Sequence, residues 1–179
     1  MSRSDFGDPP SDPRTGVLFV CLGNICRSPL AEGVLQDLLE ERGLADRIRV
    51  DSAGTGAYHV GEPPDVRSRR VARDHGIELE GRARQVEPED FQRFHHVLAM
   101  DRANLRNLER LRDQAKGEAA LDLLRSYDPE AGDGAEVPDP YYGGPDGFEQ
   151  VYRMIHRSCS GLLDRLTRAS AAPKPPGSG

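Results

Sequence analysis

Val17-Leu-Phe-Val-Cys21-Leu-Gly-Asn-Ile-Cys-Arg27-Ser28-Pro29 is the stretch that decides the fold of this 179-residue chain. Val17 to Val20 form an unbroken apolar run, the pattern of a strand buried on both faces. Ser28 is suited to capping a helix and Pro29 to its first position, and Leu30, Val34, Leu35, Leu38 and Leu39 then fall on one face, up to Gly43. A loop that turns from a strand into a helix N-terminus aims several backbone N–H groups at one spot, and the helix dipole adds partial positive charge there. That spot suits an oxyanion. The same field favours the thiolate of Cys21, and Arg27 adds a guanidinium fork that matches two phosphate oxygens. Gly23 permits close approach of a ligand to the backbone, and Ser28 is within reach of the Cys21 sulfur. A cysteine at a strand end is usually just a small buried hydrophobe. Arg27, Ser28 and a helix starting beside them argue instead for a nucleophile next to an anion clamp. A Walker-type nucleotide loop fits poorly, since the stretch has no lysine and only one glycine.

The rest of the chain supplies the elements around that loop. Arg47 to Ser52 reads as a second strand, half-buried, and Ala53 to Pro64 as a Gly-rich loop. A short helix runs from about Asp65 to His75 and stops at Gly76. His96 to Met100 reads as a third strand. Asp101 then caps a helix carrying Leu105, Leu108 and Leu111, and Ala120 to Leu124 is a fourth strand. Phe148, Val151, Tyr152, Ile155, Cys159, Leu162, Leu163 and Leu166 recur at helical spacing in a long last helix. Strands alternating with helices predict an α/β fold: a four-stranded parallel sheet with helices on both faces.

Bulk properties narrow the function. The length fits one domain, drawn at residues 16–168, with Pro-, Gly- and Ser-rich stretches at 1–15 and 169–179 that read as flexible tails. The three cysteines, Cys21, Cys26 and Cys159, have neither disulfide-framework nor metal-ligand spacing, which points to a reducing compartment and no metal. A net charge of −6 argues against nucleic acid as a partner, so any anion site is built locally. With no long apolar run and no signal-like N-terminus, the reading is a cytoplasmic protein without membrane contact, and a monomer is compatible with this composition.

The loop and a later segment, Asp139-Pro140-Tyr141-Tyr142, resemble the low-molecular-weight protein tyrosine phosphatases. Val50-Asp-Ser-Ala-Gly, Arg73-Asp-His-Gly, Ala99-Met-Asp101 and Ser126-Tyr-Asp-Pro follow the same family's order, from about Gly16 to Thr167. The resemblance implies hydrolysis of phosphotyrosine through a cysteinyl phosphate, without cofactor. Tyrosine-phosphorylated proteins are then the substrates, and phosphate, vanadate or sulfate the small ligands. Cys21 becomes the nucleophile, Arg27 the transition-state clamp and Asp139 the general acid. Leu22, Gly23, Asn24, Ile25, Cys26, Arg27 and Ser28 cradle the phosphate. Asn24, Ser28, Ser52 and His75 form a hydrogen-bonding network that supports the loop. Ile25, Tyr58, Tyr141 and Tyr142 wall the cleft, and Cys26 is placed to trap Cys21 as a reversible disulfide.

Read without the resemblance, Asp-Pro-Tyr-Tyr is a turn, His75 a helix-end residue and Tyr142 an ordinary partly buried tyrosine. Three other functions remain in view. Arsenate reductases on the same fold need two further cysteines, where this chain has only Cys159 beyond the loop. Protein arginine phosphatases carry threonine where this chain has Ile25. A catalytically silent phosphate-binding module has no need of all three catalytic positions, which are filled here.

Overall fold

The computed structural model of the protein describes residues 12–141 and 143–171. Four parallel strands form one sheet in the order β2-β1-β3-β4: β1 (Thr15–Cys21), β2 (Ile48–Gly54), β3 (His96–Ala99) and β4 (Ala120–Leu123). The helices are α1 (Arg27–Glu41), α2 (Val66–Asp74), α3 (Asp90–Arg93), α4 (Arg102–Ala115) and α5 (Pro145–Ala171), with a 3-10 turn at Leu124–Tyr127. The α/β class, the all-parallel sheet and the helices on both faces match the sequence reading.

The pleat of β1 explains why both faces need covering. Val17, Phe19 and Cys21 point into a core made with the apolar faces of α1, α2 and α5. Leu18 and Val20 point the other way, into a core with Phe91, Phe94 and Leu108 of the α3–α4 side. Val17 to Val20 are all fully buried. Each such side chain contributes roughly 1.5–3 kcal/mol of transfer free energy, so β1 is the keel of the domain. Its neighbours also set the site. β2 pairs with one edge of β1 and β3 with the other, so connections diverge from the C-terminal end of β1. In open parallel sheets that divergence leaves a crevice where ligands bind.

Boundaries differ from expectation where side chains have long-range partners. α1 begins at Arg27 with Cys26 in the cap position, and Ser28 is not the cap, because its buried hydroxyl is engaged by the Cys21 sulfur. Asp65 and Asp101 do cap α2 and α4, accepting from the N–H groups of Arg67 and Asn104. β1 starts at Thr15, and Asp12 lies 2.9 Å from Arg14 and 3.5 Å from buried Arg49. α5 continues to Ala171. Residues 1–11 and 172–179, which hold most of the two expected tails, lie outside the described residues.

Gly161 shows how tightly α5 packs. A β-carbon there would sit inside the van der Waals contact of the Tyr127 carbonyl oxygen. An ordinary helical Gly→Ala change stabilises by ~1 kcal/mol, whereas overpacking costs about 1–3 kcal/mol. Gly161→Ala is therefore expected to lower the thermal midpoint by several degrees, at about 2–4 °C per kcal/mol for a chain of this size. A midpoint that rises would show that α5 does not pack against the 3-10 turn in this way.

Candidate active site

The loop between β1 and α1 is shaped by what happens to its carbonyl groups. The oxygens of Cys21 and Leu22 accept from the N–H groups of Thr55 and Gly56, each at 2.9 Å. The Ile25 oxygen accepts from the Asp65 N–H at 2.8 Å, and the Cys26 oxygen from the Ser68 hydroxyl at 3.2 Å. In a trans peptide the C=O and the next N–H point in opposite directions. Turning these carbonyls outward therefore turns the N–H groups of Leu22, Gly23, Cys26 and Arg27 toward the mouth of the loop. The N-terminus of α1 opens onto the same place. Backbone N–H groups gathered in this way suit an anion.

Asn24 fixes the bend. Its φ of 58° is in the left-handed region, where asparagine is among the few non-glycine residues tolerated. Its N–H donates to the Cys21 sulfur at 3.3 Å. Its side-chain amide donates to Ser28 Oγ at 2.8 Å and Ser52 Oγ at 3.0 Å, while Oδ1 accepts from the Arg84 N–H at 3.0 Å. Ser28 Oγ lies 3.0 Å from Cys21 Sγ and 3.3 Å from the Ala53 carbonyl. Ser52, having accepted from Asn24, donates its proton to Glu32 Oε1 at 2.6 Å. Burial, with Asp51 beside it, pushes the Glu32 carboxyl up to about 7. Asn24, Ser28 and Ser52 are thus brought together. His75 is not with them. It caps the C-terminal end of α2, lies 3.0 Å from Glu149 and stacks on Tyr152 at 3.8 Å. The Arg84 backbone and Glu32 hold the places next to Asn24 and Ser52.

Arg27 is only 2 % exposed and is held from behind. Its Nη1 donates to Asp101 Oδ2 at 2.7 Å and to the Val137 carbonyl at 3.0 Å, while Nη2 lies 3.6 Å from Asp139 Oδ2. Burial works against the guanidinium charge, but Cys21, Asp101 and Asp139 outweigh it and hold Arg27 above its ordinary value. Asp101 thus caps α4 with Oδ1 and anchors Arg27 with Oδ2. The sequence showed only its capping role.

Asp139 stands at the rim, its side chain 42 % exposed, and its Oδ1 accepts from the Tyr141 N–H at 3.0 Å. Tyr141 is held by Arg67, whose Nη1 donates to its carbonyl at 2.8 Å and whose guanidinium lies over its ring at 5.0 Å. Ile25 is half-buried, and Tyr58 is largely exposed, its ring lying against Gly56. Tyr142 lies outside the described residues. The ring of His59, which is paired with Glu62, packs at Gly23, where a β-carbon would approach it to 2.9 Å. Among the described residues no cluster of side chains could hold a metal ion.

A family model for low molecular weight phosphotyrosine protein phosphatases matches residues 16–172. A mouse protein described as a low molecular weight phosphotyrosine protein phosphatase is 47% identical over 150 residues, covering 83% of this chain and 94% of its own. The crystal structure of a protein tyrosine phosphatase from Entamoeba histolytica, with Hepes in the active site, superposes with a TM-score of 0.81 at 35% identity, covering 87% of this chain and 99% of that one. A drosophila arginine phosphatase superposes with a TM-score of 0.79 at 36% identity, covering 84% and 96%.

The three cysteines differ in environment, although all are buried thiols. Burial, with Asp65 and Cys21 nearby, pushes Cys26 up to about 12, and burial alone pushes Cys159 far up. Cys21 instead meets the Asn24 N–H and the Ser28 hydroxyl. Iodoacetate, itself an anion, is expected to alkylate Cys21 alone at mildly acidic pH, and inorganic phosphate to protect it. Mass spectrometry finding Cys26 or Cys159 modified while Cys21 stays free would refute the assignment.

Proposed function

The chain belongs to the low molecular weight phosphotyrosine protein phosphatase family, and from that premise we propose that it hydrolyses phosphotyrosine in proteins and peptides through a cysteinyl phosphate on Cys21. The observation that carries this reading is the cradle itself: outward-tied carbonyls, with the Cys21 sulfur and the Arg27 guanidinium at its two ends.

The Cys21 thiolate attacks phosphorus, and the bond from phosphorus to the tyrosyl oxygen breaks as Asp139 gives that oxygen a proton. Asp139, now a carboxylate, takes a proton from water as the water attacks the phosphocysteine, and the sulfur leaves as thiolate. The N–H of Asn24 and the hydroxyl of Ser28 stabilise the departing sulfur. Because Asp101 and Val137 occupy Nη1 of Arg27, Nε and Nη2 are left for two phosphoryl oxygens. The 3.6 Å between Nη2 and Asp139 supports the reading of Asp139 as the proton donor to the leaving oxygen. Ile25, Tyr58, Tyr141 and Tyr142 pack the substrate ring, and Cys26 gives Cys21 a neighbour for reversible oxidation. Buried free thiols support a reducing, cytoplasmic compartment. Among the described residues no helix is long and apolar enough to cross a membrane.

The acid role is tested with Asp139→Asn and a series of aryl phosphates. Loss of the transferable proton should lower turnover of phosphotyrosine by about 10²-fold or more, and less for phenols that are already acidic. A plot of log kcat/KM against leaving-group pKa should be steeper for the variant, because kcat/KM reports the first irreversible step. Parallel plots would remove Asp139 from the role and turn attention to Asp128, which is buried and bound to Arg125 and Arg157.

The likeness to an arginine phosphatase gives a second reading, and Ile25 separates the two. A branched apolar side chain beside the cradle packs against an aromatic ring but offers no polar partner to a guanidinium. Phosphotyrosine peptides should therefore be hydrolysed far better than phosphoarginine peptides, with Ile25→Thr narrowing the ratio of kcat/KM values several-fold. Equal or better turnover of phosphoarginine by the unaltered protein would favour the second reading and leave the cysteinyl-phosphate chemistry intact.

A further inference from the structure

α2 begins at the mouth of the cleft. The Asp65 N–H binds the Ile25 carbonyl, the Ser68 hydroxyl binds the Cys26 carbonyl, and Arg67 grips Tyr141 on the rim. From there the exposed side of the helix runs away from the site as Val66, Arg69, Arg70 and Arg73, an i, i+3, i+4, i+7 stripe that lines a surface groove closed by Asp74. In a chain of net charge −6 this helix carries four arginines and one aspartate, a local balance of +3.

The arginines are unequally partnered. Arg67 is paired with Asp65, and Arg73 with Glu78 across an exposed contact of 3.1 Å. Among the described residues Arg69, half-buried, and Arg70, exposed, have no carboxylate within ion-pair distance. An arginine fork with unmet donors is matched by carboxylate, often through two parallel hydrogen bonds. Val66, 59% exposed, adds an apolar contact next to the cleft.

We propose that this arginine groove docks an acidic segment of the substrate, a run of aspartate or glutamate beside the phosphotyrosine. The inference rests on the phosphotyrosine reading of the site. The span from Val66 to Arg73 is about 10 Å at the helical rise of ~1.5 Å per residue, which an extended peptide covers in about three residues. Charged positions close to the phosphotyrosine, on one flank only, are thereby selected. The groove holds the peptide while the cradle holds the phosphoryl group, so the charges act on capture of the substrate rather than on chemistry.

The experiment compares phosphotyrosine peptides carrying a run of glutamates on the N-terminal flank, on the C-terminal flank, or replaced throughout by glutamine, with p-nitrophenyl phosphate as a substrate lacking flanks. One glutamate-flanked peptide should exceed the glutamine peptide by about fivefold in kcat/KM, mostly through KM, the scale of two partly screened ion pairs. The preference should fade at about 0.5 M salt. Arg69→Ala/Arg70→Ala should abolish it, and Arg69→Glu/Arg70→Glu should invert it, while both leave p-nitrophenyl phosphate turnover within about twofold. Peptide turnover with no preference for acidic flanks, or a preference that survives both variants, overturns the docking groove and leaves the phosphatase reading standing. No turnover of any phosphotyrosine peptide by the unaltered protein overturns both.

Discussion

Four carbonyl oxygens pulled outward are the constraint on which the site depends. Had any of those of Cys21, Leu22, Ile25 or Cys26 turned inward, a partial negative charge would face the place meant for an anion, and one N–H donor would be lost with it. The groups that hold them, Thr55, Gly56, Asp65 and Ser68, all come from the end of β2 and the start of α2. That segment is scaffolding for the loop rather than a mere connection. Its closeness is visible at Gly54, where a β-carbon would come within 2.7 Å of the Leu22 carbonyl oxygen. Only a residue without a side chain lets the two backbones meet.

The second constraint is electrostatic. A buried guanidinium without a partner is very costly, and the gain from pairing offsets that cost only with good geometry. Arg27 meets the condition with one half of its fork, through Asp101 and the Val137 carbonyl. The arrangement fixes the plane of the fork, so the side chain keeps little rotamer freedom. Arg84 repeats the device further out. Its guanidinium joins Asp51 to fully buried Asp90, and its backbone N–H sets the orientation of the Asn24 amide. Two ion-pair networks thus stiffen one loop.

What was legible in the sequence follows from the range of the interactions. The β1 run, the helix start beside Arg27, the caps at Asp65 and Asp101 and the stripe of α5 are local patterns, and each appears in the structure where its residues place it. Ser28 departs from its local pattern, a cap, because its hydroxyl has a buried partner contributed by the strand before the loop. Resemblance alone assigns His75 to the loop network; at the end of α2 it meets α5 through Glu149 and Tyr152. The group that orients the Asn24 amide is a backbone N–H sixty positions away, and no side-chain pattern announces it. The pairing of Asp101 with Arg27 is equally silent, since the aspartate already has a local reason to be there.

Burial divides the site into two parts with different freedom to vary. Cys21, Asn24, Arg27 and Ser28 are almost wholly inaccessible, and each has several polar partners, so a change at one leaves unmet groups at others. Asp139, Tyr141 and Tyr58 are substantially exposed, and α2, which starts beside them, has Arg70 and Arg73 exposed to solvent. Exposed positions tolerate substitution at small cost to stability. The geometry of the loop is therefore tied to its supports, and one residue of it cannot move without breaking hydrogen bonds made by the others. The outer face of α2 is free of such constraints, since Val66 and Arg70 are exposed there and a change of side chain at either disturbs few contacts within the protein.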